Sequence, residues 1–186
     1  GDFEAELAPG ARRGDFDEGV VQEYVMYWQE RQRREWTRPV DDLLFEVGAL
    51  GESGKPTVQG VLLFARNPQV LLPQSGLTFV KFLGTGLRSE SGQAGYGRRE
   101  DLGGPLARII QRTWEIVGEE MRSGSVVAGL EREDRTEYPV AAVREALVNA
   151  VAHRDYRLRG RRIELRMFSD RMEIISPGGL PGFIPV

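Results

Sequence analysis

The chain has 186 residues, of which 40% are apolar and 28% charged, and its formal net charge is −3. These values are typical of one globular domain and exclude a collagen, a coiled-coil rod and an extended disordered chain. Cysteine is absent, which excludes a disulfide framework and thiolate metal sites. The sequence contains no signal peptide and no apolar run near the roughly 20 residues that span a bilayer. We therefore expect a cytoplasmic protein that makes no membrane contact.

The N-terminal half is predicted to begin with helices and then to enter a sheet. Apolar residues recur at helical spacing over residues 17–34, and a short helix is expected after Pro39. The nearly continuous apolar run 57–65 predicts a strand that is buried on both faces, and residues 76–83 predict a second strand. Residues 84–104 are rich in glycine, serine and charge, so they predict a mobile loop.

The C-terminal half alternates helices with strands. Helices are predicted over residues 105–122 and 140–152, and a strand over 125–130. Two alternating segments, 162–168 and 171–175, are joined by Ser-Asp and predict a β-hairpin. The predicted fold class is therefore α/β: a mixed-sheet sandwich with helices packed on the sheet and an amphipathic helix at the N-terminal end.

A row of polar side chains distinguishes the last predicted helix. Glu145, Asn149 and His153 are spaced i, i+4 and i+8, so they form one row on a helix that is otherwise apolar. A carboxamide oxygen is a hard ligand for Mg²⁺, and a carboxylate one turn away can accept a proton from water. The Ser176-Pro-Gly-Gly loop after the hairpin offers backbone amides to a ligand. A solvated helix face explains the same row without a ligand, and His153 also fits a cap at the helix end.

The string Arg-Glu-Ala-Leu-Val-Asn-Ala-Val-Ala-His-Arg-Asp-Tyr at 144–156, followed by Ser-Pro-Gly-Gly-Leu-Pro at 176–181, resembles a known module. It is similar to the Bergerat-type (GHKL) nucleotide-binding module of gyrase, chaperone, histidine-kinase and mismatch-repair ATPases. More narrowly, it resembles the degenerate module of bacterial AlbA/Schlafen-type transcriptional regulators, often labelled RecG-like helicases. Residues 56–69 and 103–106 resemble the middle region of that family, in which a DNA-binding domain comes first.

The resemblance implies an ATP-Mg²⁺ site that is coupled to DNA binding by an upstream domain. Glu145 matches the catalytic base of the ATPases and Asn149 their Mg²⁺ ligand. The family pattern allows weak ATPase activity in the intact protein and none in this chain alone, because no lid sequence follows. Ser176 replaces the aspartate that reads adenine, so the alternative is a nucleotide-free dimerisation or scaffolding domain that forms a homodimer. The cofactor-binding residues implied in this way are Asn149, His153, Ser176, Gly178 and Gly179.

Arginine and tryptophan give two further expectations. Residues 154–171 contain seven arginines and three acids, a local net charge of +4, which fits either a nucleic-acid edge or a solvated hairpin face. Tryptophans at apolar helical positions favour a core or an interface over a ligand platform. The arginines predicted to meet nucleic acid are Arg157, Arg159, Arg161 and Arg162, and the tryptophans are Trp28, Trp36 and Trp114.

The predicted organisation has three parts. Residues 1–36 form an arm and a connecting helix, 37–137 a central α/β region, and 138–186 the helix and hairpin of the nucleotide-binding module. The first residue is Gly1 rather than methionine, and the last residues read as an unfinished turn. We therefore expect the sequence to be a piece of a longer protein.

Overall fold

A computed structural model gives the fold, and it divides the chain into two compact units. The first comprises Gly1–Ser75 with Gly103–Arg108, and the second comprises Gly76–Leu102 with Ile109–Val186. The predicted boundaries after residues 36 and 137 stay a prediction. The residues that the structure describes are 5–87, 95–128, 142, 145, 146, 162–176 and 182–184.

The first unit is helical over its described residues. Asp17 caps the first helix, because its Oδ1 accepts a hydrogen bond from the Val20 amide at 3.2 Å. The same helix ends at Arg33, whose φ of 54° lies in the left-handed region. The helices predicted over 17–34 and after Pro39 are thereby confirmed. In chain order the helices of this unit are α1 (Glu18–Gln32), α2 (Val40–Glu46), α3 (Val58–Phe64) and α4 (Pro68–Leu71).

The strand predicted over residues 57–65 is wrong, because this segment forms α3. Thr57 starts the helix: its Oγ1 accepts from the Gly60 amide at 3.0 Å and donates to the Gly48 carbonyl at 2.6 Å. Five of the seven residues of α3 are buried, so the helix has no polar face to produce a helical period in the sequence. A short apolar run of this kind cannot be distinguished from a buried strand by periodicity.

The core of the first unit surrounds α3. Phe64 packs its ring 5.5 Å from the ring of Phe16 and 5.5 Å, edge to face, from that of Tyr24. The buried cluster consists of Phe16, Val20, Val21, Leu44, Ala49, Leu50 and Phe64.

The second unit is built on a mixed sheet. Its described strands are β1 (Leu77–Phe82), β2 (Tyr96–Leu102), β3 (Ile163–Met167), β4 (Met172–Ile175) and β5 (Gly182–Ile184). Their order in the sheet is β2-β1-β3-β4-β5. β1 and β3 are parallel, and the other neighbouring pairs are antiparallel. The predicted α/β class, its mixed sheet and the hairpin of β3 and β4 are therefore confirmed.

Two predictions for this unit are wrong. The loop expected over residues 84–104 contains β2, an edge strand rich in charge that pairs with β1. The strand expected over 125–130 is in helix α5 (Leu106–Ala128) as far as residue 128. The helix continues through the glycine and serines at 123–125, and its apolar side chains Ile109, Ile116 and Val117 pack on the sheet. For the helix predicted over 140–152, the described residues 142, 145 and 146 are helical.

The two faces of the sheet differ in character. One face packs Leu77, Phe79, Ile163 and Leu165 against α5 in a single buried cluster. The opposite face carries charged side chains in alternation, and Val80, Phe82 and Phe168 form a small buried cluster there. Among the described helices, none has the length and apolar character needed to cross a membrane.

Thr113 of α5 gives a testable consequence of this packing. Its side chain is fully buried, and its hydroxyl has no hydrogen-bond partner in the described part of the chain. We expect Thr113→Val, which exchanges the hydroxyl for a methyl group of similar shape, to raise the free energy of unfolding by about 1 kcal/mol. Urea denaturation followed by circular dichroism measures this change.

The matched control is Thr78→Val in β1. Thr78 Oγ1 donates to Asp101 Oδ1 at 2.7 Å, so valine at this position leaves a carboxylate with one donor fewer. The control should lower the free energy of unfolding by about 1 kcal/mol. A change of the same sign in both variants would contradict the assignment of an unsatisfied hydroxyl at Thr113.

Candidate functional site

Glu145 lies at the surface of a helical segment that packs on the sheet. Ala142 and Ala146, one turn apart, are half-buried and contact the hydrophobic cluster between the sheet and α5. Glu145 is exposed, and its carboxylate forms no ion pair with any described lysine or arginine. The segment thus has an apolar side toward the sheet and a carboxylate on the outside.

Ser176 and Arg162 lie at the two ends of the hairpin. Ser176 directly follows β4 and is 8% exposed, so its side chain is part of the packed unit. Arg162 directly precedes β3 and is half-buried. Its Nη1 lies 2.6 Å from the position that a Cβ on Gly76 would occupy, where the neighbouring parallel strand β1 begins. The same Cβ would lie 2.4 Å from the backbone carbonyl oxygen of Leu102, a contact that no side-chain rotation relieves, so this backbone contact requires glycine at position 76.

The remaining predicted site residues lie outside the described residues, so their assignments stay predictions. The described carboxylates do not by themselves form a metal site: no group of three or more His, Cys, Asp or Glu side chains is placed to hold an ion. The predicted residues outside the described part are Asn149, His153, Gly178, Gly179, Arg157, Arg159 and Arg161.

An ionic cluster that the sequence analysis missed joins β2 to α5. Arg98 donates to Glu100 Oε2 at 2.7 Å, to Glu119 Oε2 at 2.8 Å and to Glu120 Oε1 at 3.0 Å. Arg112 of α5 reaches Glu100 and Glu119 from the other side. The hydrogen bond from Arg98 holds the pKa of Glu119 below its ordinary value of 4.5. These contacts connect the edge strand to α5 and stabilise it.

The charged face of the sheet is also internally paired. Arg166 Nε donates to Glu164 Oε1 at 2.7 Å along β3, and Arg171 Nε donates to Glu173 Oε1 at 2.8 Å on β4. Arg171 also lies over the ring of Phe168, 4.0 Å from its centroid. The sequence left two explanations for the arginines at 154–171, a nucleic-acid edge and a solvated hairpin face. The paired arginines of this face fit the second explanation.

The tryptophans occupy two different environments. Trp114 packs against the buried cluster of the sheet and α5, as expected for a core residue. Trp28 and Trp36 are half-buried in the first unit, where each is stacked with an arginine. Trp36 lies beyond the end of α1 rather than on its apolar face. Four arginines between residues 31 and 38 were the signal in the sequence that could have identified this group.

Comparison with solved structures finds a likeness in fold. No protein-family model matches the chain, and no curated protein matches it. The fold is similar to the crystal structure of the DIP2311 protein from Corynebacterium diphtheriae, with a TM-score of 0.64 and 22% sequence identity. The match covers 96% of this chain and 28% of the Corynebacterium protein, so the chain spans just over a quarter of that protein's length. At this identity the likeness shows the fold alone.

Proposed function

We propose that the second unit binds ATP with Mg²⁺, and that the chain is part of a cytoplasmic AlbA/Schlafen-type transcriptional regulator with an upstream DNA-binding domain. The observation that carries the proposal is the position of Glu145. Ala142 and Ala146 fix the segment on the sheet, and Glu145 extends outward from it. A carboxylate in this position can meet a ligand without opening the core.

In this proposal each residue of the site has a separate role. Asn149 would hold Mg²⁺ through its carboxamide oxygen, because such oxygens are hard ligands that suit this ion. Bound Mg²⁺ would neutralise phosphate charge. Glu145 would accept a proton from the attacking water, as its exposed carboxylate permits. Ser176 and the following glycines would contact the nucleotide, and Ser176 in place of aspartate predicts weak selectivity for adenine.

The test of this proposal uses Glu145→Gln in the intact protein. We expect loss of ATP hydrolysis by about 100-fold or more, because the base that accepts the proton is removed. Binding of a non-hydrolysable ATP analogue with Mg²⁺, measured by calorimetry, should remain within about twofold of the wild type, because the Mg²⁺ ligand is retained. Glu52→Gln, at an exposed turn of the first unit, is the matched control and should change neither quantity.

The two measurements separate the proposal from its alternative. Unchanged hydrolysis in Glu145→Gln would contradict the role of Glu145. No calorimetric response of the wild-type protein to the analogue, together with a stable dimer in light scattering, would favour the nucleotide-free dimerisation domain. Asn149→Ala should weaken analogue binding in the presence of Mg²⁺, and an unaltered affinity would contradict the assignment of the metal ligand.

A further inference from the structure

Arginine and tryptophan side chains form a continuous group at the end of α1, here named the Arg–Trp surface. The indole rings of Trp28 and Trp36 are 5.1 Å apart at an interplanar angle of 86°. Arg34 lies over the Trp28 ring, 5.2 Å from its centroid, and Arg38 lies over the Trp36 ring at 4.4 Å. Each indole therefore has a guanidinium group within cation–π distance of its ring. The Arg–Trp surface consists of Trp28, Arg31, Arg34, Trp36 and Arg38.

Backbone and side-chain hydrogen bonds hold this surface in place. Arg33 has a φ of 54° and reverses the chain after α1. The returning segment is fixed because the Trp36 amide donates to Gln29 Oε1 at 2.9 Å and the Trp36 indole donates to the Pro39 carbonyl at 3.1 Å. The stacked pairs are therefore built into the fold before any ligand binds, which lowers the entropic cost of binding.

The charge of the surface is opposite to that of the whole chain. Residues 27–38 contain four arginines and two glutamates, a local net charge of +2 in a chain of −3. Arg38 pairs with Glu46. Arg31 donates to the Tyr27 hydroxyl at 3.3 Å, and neither Arg31 nor Arg34 forms an ion pair among the described residues. These guanidinium groups remain available to a polyanion.

Compensation of the helix dipole explains only part of this arrangement. A basic side chain in the last turn, such as Arg31, is favourable near the negative end of α1. Arg34 and Arg38 lie beyond the helix end, and both stack on indole rings. Flat guanidinium planes and aromatic rings are the surfaces on which unpaired bases stack. A duplex keeps its base faces inside its own stack, so these planes suit a single strand.

We propose that the Arg–Trp surface binds single-stranded nucleic acid, with bases stacked on the guanidinium groups that lie over the indole rings and phosphates met by Arg31 and Arg34. The proposal does not depend on nucleotide binding by the second unit. It is also separate from the edge predicted at Arg157, Arg159, Arg161 and Arg162. Those arginines belong to the second unit, whereas the Arg–Trp surface belongs to the first.

The test is fluorescence anisotropy of the whole chain with labelled oligo(dT) and oligo(U) of about 16 nucleotides, the length of a typical single-strand site. We expect saturable binding at about 50 mM salt that weakens steeply by about 200 mM, because phosphate contacts release counterions. A duplex of equal length should bind at least about tenfold more weakly than the single strand. Binding of only one oligomer supports the proposal, and oligo(dU) then shows whether the 2′-hydroxyl of the sugar or the thymine methyl group is read.

Two kinds of variant assign the binding to this surface. Arg34→Ala with Arg38→Ala should weaken binding by about tenfold, and Trp36→Leu by about fivefold or more, whereas Trp36→Phe keeps an aromatic face and most of the affinity. The control is Arg99→Ala, which removes an exposed arginine from β2 in the other unit and should have little effect. Circular dichroism confirms that each variant is folded.

Three results would overturn the proposal. They are the absence of binding to both single strands at low salt, equal or tighter binding of the duplex, and equal affinities for the folded Arg–Trp variants and Arg99→Ala. A fourth result would also contradict it: both Trp36→Leu and Trp36→Phe lose affinity, but Arg34→Ala with Arg38→Ala does not. Stacking of bases on the guanidinium groups would then make no contribution to binding.

Discussion

Gly60→Ala is expected to lower the free energy of unfolding by about 3 kcal/mol or more, the largest effect of a single methyl group in the first unit. A Cβ at this position would lie 2.0 Å from the Ala49 carbonyl oxygen and 2.8 Å from its carbonyl carbon. Both atoms belong to the backbone, so no side-chain rotation can relieve the contact. Either α3 or the turn around Ala49 must move, and both belong to the buried cluster of this unit.

Helix propensity predicts the opposite sign, which makes the measurement decisive. Alanine is favoured over glycine inside a helix by about 1 kcal/mol. Gly14→Ala is the matched control, because no atom lies within 4 Å of its Cβ position, and it should change stability by no more than about 0.5 kcal/mol. Urea denaturation of both variants compares them directly. Stabilisation by Gly60→Ala would show that α3 does not pack this closely against Ala49.

The same contact explains why the sequence did not reveal α3. Thr57 caps the helix and Gly60 allows its close approach, but threonine is also common in strands and a single glycine can lie within one. What decides between the two structures is the carbonyl of Ala49, which the sequence alone does not bring near Gly60. In contrast, Glu164 and Arg166 alternate with buried residues in β3, and this local pattern correctly predicted the hairpin.

β2 was missed for a different reason. Its residues alternate between two faces that both carry charge: Arg99 and Asp101 lie on one, and Arg98 and Glu100 on the other. An apolar period is absent because α5 provides carboxylates for Arg98 rather than an apolar surface. Partners of this kind come from residues about 20 positions away in the sequence, so a window along the chain does not detect them.

The candidate sites show the same division between local and distant information. Helical spacing predicted a polar row that includes Glu145 on an otherwise apolar helix, and in the structure Glu145 is exposed while Ala142 and Ala146 are half-buried. The Arg–Trp surface could not be derived from spacing, because the left-handed Arg33 reverses the chain and places Trp36 beside Trp28. The two proposed functions are therefore tested by separate experiments: ATP hydrolysis and binding for Glu145, and oligonucleotide binding for the Arg–Trp surface.

Arg98→Ala is expected to destabilise the second unit by about 2 kcal/mol, because three carboxylates lose a common charged donor. Arg98 is 25% exposed, so its contacts are less screened than those of a surface pair. Arg99→Ala is the matched control at the next residue, which is 59% exposed and has one ion pair at 3.8 Å. Its effect should stay below about 0.5 kcal/mol. Equal effects of the two substitutions in urea denaturation would contradict a structural role for the cluster.

Acid titration gives an independent measurement of the same cluster. The hydrogen bond from Arg98 lowers the pKa of Glu119 from 4.5, so ionised Glu119 stabilises the folded state. This contribution is present above the ordinary pKa and is lost as the pH falls through the lowered value in the folded state. Stability of the wild type should therefore decrease in that acid range, and Arg98→Ala should show a smaller decrease because Glu119 then titrates closer to its ordinary pKa. An identical pH dependence in both proteins would contradict the pairing of Arg98 with Glu119, since the carboxylate would then gain nothing from the guanidinium.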